Sequence, residues 1–252
     1  MIRHTLVCCI AGMMLLSTAT AEAQRGQQLA RRNRVIPLFD GQTFNGWVTP
    51  DGSLVTAGWE VVDGTLHLIG KGAGMILTDR EYKDFDLQFE WKITEGGNSG
   101  IKYRVKSYGG SMLGIEYQLL DDPKYFDNVL GKGSTGSLYA LYAPVGDGDQ
   151  LPTNPPGEFN SSRIVVRGNQ ITHWLNGEKL VSATVGSSQW HERVAASKFN
   201  NREGFGENRS GLIMLQEHGS EVWFRNVSLR ELGRTADRRR RPLIPVVGHA
   251  RR

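Results

Sequence analysis

The sequence predicts an all-β protein, a β-sandwich or jelly roll with one short helix. Three observations carry this. Short segments in which apolar and polar residues alternate recur from Pro37 to Leu232. Turn signals such as Asp63-Gly64, Gly168-Asn169 and Asn176-Gly177 separate several of them. Only one stretch has helical spacing.

Taken in order, Trp59 to Val62 turns at Asp63-Gly64 into Leu66 to Ile69. Phe85, Leu87, Phe89, Trp91 and Ile93 then alternate with Asp86, Gln88, Glu90 and Lys92, which predicts a strand with one buried face. Strands follow at Gly100 to Val105, Gly114 to Leu119, Ser137 to Tyr142 and Arg163 to Arg167. Beyond Gly168-Asn169 come Ile171 to Leu175 and, through Asn176-Gly177, Lys179 to Ala183. Leu212 to Gln216 and Val222 to Leu229 complete at least ten strands. The helix is Gln189 to Lys198, with Ser188 as its cap and Trp190, Val194 and Ala195 along one stripe.

The chain has 252 residues, 39% hydrophobic and 22% charged, which suits a soluble globular protein. Its net charge of +4 and pI near 9.1 suggest a polyanion partner until the charge is located. Residues 24 to 35, a basic linker, carry +4, and the Arg-rich tail from Arg234 carries +6, so the body between them is left at −6. Both tails lack periodicity and are expected to be mobile, with the C-terminal one available to an anionic surface. Residues 1 to 23 read as a signal peptide: a basic start, an apolar run from Thr5 to Ala21, and Ala21-Glu22-Ala23 as a cleavage pattern. A periplasmic or secreted location follows. Cys8 and Cys9 would leave with that segment, which removes disulfides and thiolate catalysis from the mature chain.

Several motifs carry no function. Gly131-Lys-Gly133-Ser-Thr-Gly136 satisfies G-x-G-x-x-G, but the residues after it read as a strand where a dinucleotide site needs a helix N-terminus. His191-Glu192 lacks the second His of a zinc helix, and no G-x-S-x-G is present. Asp147-Gly148-Asp149 reads as an ordinary turn rather than a calcium loop. The Arg-rich tail lacks interleaved aromatics, so specific nucleic-acid recognition is unsupported.

Strand parity points to one polar surface. Lys102 and Arg104 alternate with Ile101, Tyr103 and Val105, and Glu116 and Gln118 alternate with Ile115, Tyr117 and Leu119. An antiparallel hairpin through Tyr108-Gly109-Gly110 would gather Lys102, Arg104, Glu116 and Gln118 into one patch. A solvated outer face is the plainer account of such a patch. His173 lies in phase with Ile171 and Leu175, and His218 stands at a strand end where a concave face would open. With Glu116 and Lys102 they make an acid/base set.

These segments carry a family resemblance. Leu38-Phe-Asp-Gly-Gln-Thr-Phe-Asn-Gly-Trp47, Trp59-Glu-Val-Val-Asp-Gly64, Tyr82-Lys-Asp-Phe-Asp-Leu87, Gly96-Gly-Asn-Ser-Gly100, Gly114-Ile-Glu-Tyr-Gln118, His173-Trp-Leu-Asn-Gly177 and Gly211-Leu-Ile-Met-Leu-Gln-Glu-His-Gly219 follow one another in order. In this the chain resembles the 3-keto-disaccharide hydrolase family (3-keto-glucoside 1,2-lyase/3-keto-2-hydroxy-glucal hydratase), once catalogued as domain of unknown function 1080. The resemblance spans residues 36 to 232. It implies a concanavalin A-like jelly roll with a sugar cleft on one sheet, and elimination across C1–C2 of a 3-keto-glycoside followed by hydration of the alkene.

Onto matching positions it implies Glu116 as the general base, and His173 or His218 as the acid. Lys102 and Arg104 would stabilise the oxyanion, while Gln118, Asn98 and Gln216 would hold sugar hydroxyls. Tyr142 and Trp174 would offer aromatic faces. No cofactor is demanded. A divalent metal would find hard ligands in Glu116, Asp121, Asp122 and His173. Two other readings stay open: a non-catalytic carbohydrate-binding module of the same fold, and a glycoside hydrolase in which Asp121 or Asp122 partners Glu116.

Overall fold

The computed structural model describes residues 35–125, 130–146 and 150–233. The signal-like segment with its cysteines, the basic residues 24–34, the Asp147-Gly148-Asp149 loop and the Arg-rich residues 234–252 lie outside the described residues.

Thirteen strands are described: β1 (Val35–Pro37), β2 (Trp47–Val48), β3 (Trp59–Val62), β4 (Thr65–Leu68), β5 (Ile76–Thr78), β6 (Phe85–Ile93), β7 (Asn98–Tyr108), β8 (Ser111–Leu120), β9 (Asn160–Arg167), β10 (Gln170–Leu175), β11 (Glu178–Thr184), β12 (Leu212–Leu215) and β13 (Val222–Glu231). They form two antiparallel sheets. One runs β11-β10-β9-β6-β13-β4-β3, with β1 also paired to β13, and the other runs β2-β5-β12-β7-β8. The ladders cross-connect distant parts of the chain, as in a jelly roll. The strands absent from the sequence reading, β1, β2 and β5, have two or three residues each, too few for alternation to register.

Alternation fixes the register of the layers. Phe85, Leu87, Phe89, Trp91 and Ile93 of β6 face Ile101 and Tyr103 of β7 and Ile115, Tyr117 and Leu119 of β8 across one core, all at most 3% exposed. Each large side chain buried there contributes roughly 1.5–3 kcal/mol. A one-residue slip of β8 would turn that set outward and bring its polar set in. The β7–β8 turn prevents it: Gly109 and Gly110 both take positive φ (59° and 85°), the two-residue geometry that pairs Tyr108 with Ser111.

Two expectations are corrected. Ser137 to Tyr142 is a tight turn held by isolated bridges of Leu138 to Tyr117 and to Tyr142, with Ala140 at φ 63°. Its alternation imitates a strand, yet the Leu138 amide closes back on the Tyr142 carbonyl. No helix follows Gly136 in either case, so the glycine motif still lacks a dinucleotide geometry. The helix α1 is Ser188–Ala195, and its cap is Ser187, whose hydroxyl accepts from the Trp190 amide at 3.1 Å. It lies over the turn: Trp190 is fully buried, and Arg193 donates to the Leu141 carbonyl at 2.8 Å.

Candidate functional site

The β7–β8 register places Lys102 directly opposite Glu116 on the outer face of the smaller sheet. Lys102 Nζ lies 3.5 Å from Glu116 Oε2. Gln216, just past β12, completes a triangle: its side-chain amide satisfies both neighbours when its nitrogen faces Glu116 Oε1 at 2.8 Å, to which it then donates, and its oxygen faces Lys102 Nζ at 3.3 Å, from which it then accepts. Beside them Gln118 Nε2 donates to Asn98 Oδ1 at 3.0 Å. Gly100 makes this possible, because a Cβ there would come within 2.7 Å of Glu116 Oε1.

These five side chains, with Tyr139, Lys198 and His218, enclose a pocket of about 60 Å³. It shares Asn98, Gln118 and Tyr139 with a wider recess of about 350 Å³, which adds Leu120, Tyr125, Lys132, Gly133 and Ala140. At ~30 Å³ per water the first volume admits a functional group and the second a ring. Across the sheet the order is β12 with Gln216, β7 with Lys102, β8 with Glu116, then the 138–142 turn, where the Tyr139 amide donates to the Glu116 carbonyl at 3.0 Å. His218 follows β12, so Tyr139 and His218 stand on opposite sides of Glu116.

Glu116 is 6% exposed, and burial holds its carboxyl above the ordinary glutamate range, against the pull of Lys102, Lys198 and His218. It is the sole carboxylate lining pocket and recess among the described residues. A raised proton affinity beside an ammonium suits a group that accepts a proton from carbon.

Residues 34–230 match the 3-keto-alpha-glucoside-1,2-lyase-like domain. The chain belongs to that family. A Bacteroides thetaiotaomicron protein named 3-keto-disaccharide hydrolase is 33% identical over 230 residues, covering 78% of each chain. Two solved Parabacteroides distasonis structures, each named as a putative glycosyl hydrolase, are similar to this chain. One is 35% identical with a TM-score of 0.69 and covers 79% of this chain and 94% of its own. The other is 27% identical with a TM-score of 0.62 and covers 79% and 100%.

Of the residues anticipated for a lyase-like site, the fold gathers Glu116, Lys102, Gln118, Asn98, Gln216 and His218. The rest lie elsewhere. Arg104 is turned off the patch by a bulge at φ 52° between Tyr103 and Lys106, and is buried against the Gly206 and Gly168 carbonyls. His173 is fully buried between the sheets, its Nδ1–H donating to the Gly136 carbonyl at 2.9 Å while Nε2 accepts from Tyr103 at 2.8 Å. Burial drives its pKa down to about 4, so it is neutral in the fold. Tyr142 packs on Trp190 and under Arg193. Trp174 belongs to the larger sheet, near Arg163.

The metal set likewise comes apart. Asp121 accepts from the Gly96 amide and Asp122 from the Thr135 amide, apart from both Glu116 and His173. Among the described residues no three His, Cys, Asp or Glu groups converge as metal ligands. The sequence reading missed Tyr139 and Lys198. The false strand over 137–142 drew notice to Tyr142, and nothing local marks Lys198, which reaches the pocket from the loop after α1.

Proposed function

We propose that the chain is an exported enzyme that cleaves 3-keto-glycosides by elimination across C1–C2 and hydrates the resulting 3-keto-2-hydroxy-glucal. The observation that carries this reading is the buried carboxylate of the pocket, Glu116, which lines it among lysines and side-chain amides and has its proton affinity raised by burial. A ketone at C3 acidifies the C2 hydrogen. Glu116 takes that proton, and the charge that develops on the C3 oxygen is met by Lys102, with Gln216 and His218 on the same side. Gln118 and Asn98 hold sugar hydroxyls. The reaction needs no nucleophilic Ser or Cys.

A two-carboxylate hydrolase is not favoured, because Asp121 and Asp122 are bound to backbone amides away from the pocket. A binding module would have little use for a carboxyl kept desolvated beside Lys102. Family membership and the name of the Bacteroides relative support carbohydrate chemistry.

The test is to incubate the protein with a 3-keto-disaccharide and with its unoxidised parent, following alkene absorbance and released sugar. Turnover of the ketone alone is expected. Hydrolysis of the parent, or binding of both without turnover, would overturn the reading.

A further inference from the structure

The arrangement of the site orients the sugar. C1, C2 and C3 are consecutive, so with the C2 hydrogen over Glu116 the other two carbons fall on opposite sides of it. The C3 oxygen belongs with Lys102 and Gln216, on the β7–β12 side. C1 then faces the 138–142 turn, where the pocket opens into the recess of about 350 Å³. That recess has room for a leaving group, and the pocket of about 60 Å³ does not.

Elimination also needs a proton for the departing oxygen, because an alkoxide is a poor leaving group. His218 stands on the far wall, beside the C3 oxygen. On the C1 side Lys132 lines the recess, and Lys198 lines the pocket itself, where the reacting carbons sit. The Lys198 Nζ lies 4.2 Å from the centroid of the Tyr139 ring, the wall shared by pocket and recess. Among the described residues it pairs with no carboxylate, and the aromatic face holds it in place.

We propose that Lys198 is the acid that protonates the leaving glycosidic oxygen. This rests on the elimination reading above. Glu116 takes the C2 proton and the C2–H pair becomes the enolate. As that pair forms C1=C2 and restores C3=O, the C1–O bond breaks and its oxygen takes a proton from the Lys198 ammonium. Glycoside gives alkene and alcohol with no co-reactant. In hydration the amine takes a proton from water as its oxygen bonds to C1, and Glu116 returns its proton to C2. One pair of residues thus serves both half-reactions.

The test compares 3-keto-glucosides with leaving groups of different basicity. Lys198→Met is expected to lose about 100-fold or more in kcat on a 3-keto-disaccharide. On 4-nitrophenyl 3-keto-glucoside, whose leaving oxygen needs no proton, it is expected to stay within about fivefold of wild type. Lys198→Arg keeps the charge but not a releasable proton, and is expected to follow the Met variant. Equal losses on both substrates, no loss on the disaccharide, or full rescue by Arg would overturn the role of Lys198. Failure of the wild-type protein to turn over either ketone would instead overturn the reaction assigned to the site, and this inference with it.

Discussion

At the residue scale the site is an argument about one carboxyl. Glu116 is buried deeply enough that its proton affinity rises even with Lys102 at 3.5 Å, so desolvation outweighs the ion pair. In the base role proposed for it, Glu116 would work only when ionised. The acid limb of kcat/KM is therefore expected above the ordinary glutamate value of 4.5, with activity lost as pH falls through it. Glu116→Gln keeps the shape and is expected to lower kcat by roughly 10²–10⁴-fold. A pH–rate profile of the wild type and a single-turnover rate for the variant check both; an unchanged rate would remove Glu116 from the base role. The Glu116–Lys102 pairing was legible because strand parity and a Gly-Gly hairpin suffice to set two side chains opposite one another. Arg104 obeyed the same parity on paper and failed, since a bulge that inverts parity leaves no mark in the alternation.

At the scale of elements, the working parts are a hairpin, a turn and a helix. The turn that carries Tyr139 is clamped between β8 on one side and α1 on the other, through the bond of Arg193 to the Leu141 carbonyl. Ser187 caps that helix. Ser187→Ala is expected to cost about 1 kcal/mol. In a domain of this size that is a fall of roughly 2–4 °C in Tm, measurable by calorimetry. A shift within error would mean that packing of Trp190 alone holds α1. Ten strands and the helix were legible from period and turn chemistry. What escaped was too short to show repeated alternation, as in β2 and β5, or imitated it, as in residues 137–142.

At the scale of the whole molecule, the sandwich buries one histidine as a brace. His173 ties the two sheets and the Gly136 segment together as a neutral ring, and its pKa of about 4 has a consequence for stability. The unfolded chain binds a proton there near pH 6.5 and the folded one does not, so stability is intact above 6.5 and falls as pH drops towards 4. The difference amounts to about 3 kcal/mol. Urea unfolding of the wild type between pH 7 and pH 4 is expected to show that loss, and His173→Gln, though weaker at pH 7, is expected to show much less of it. Equal pH dependence in both proteins would place the acid sensitivity elsewhere. The histidine was legible in the sequence as an ionisable ring in apolar phase, but phase alone does not distinguish a brace from an acid. The carbonyl that decides the matter lies 37 residues away.

The turn beside β8 has a further consequence. β8 is the last strand of its sheet, and an open last strand offers a row of free amides and carbonyls to any other chain. Here Gly136, Ser137, Leu138 and Tyr139 occupy that row, with hydrogen bonds to the Gln118 and Glu116 backbone, and then curl away before a ladder can extend. The segment that supplies a wall of the pocket also guards the molecule against edge-to-edge aggregation. A change that reshapes the wall is therefore also a change to the seal.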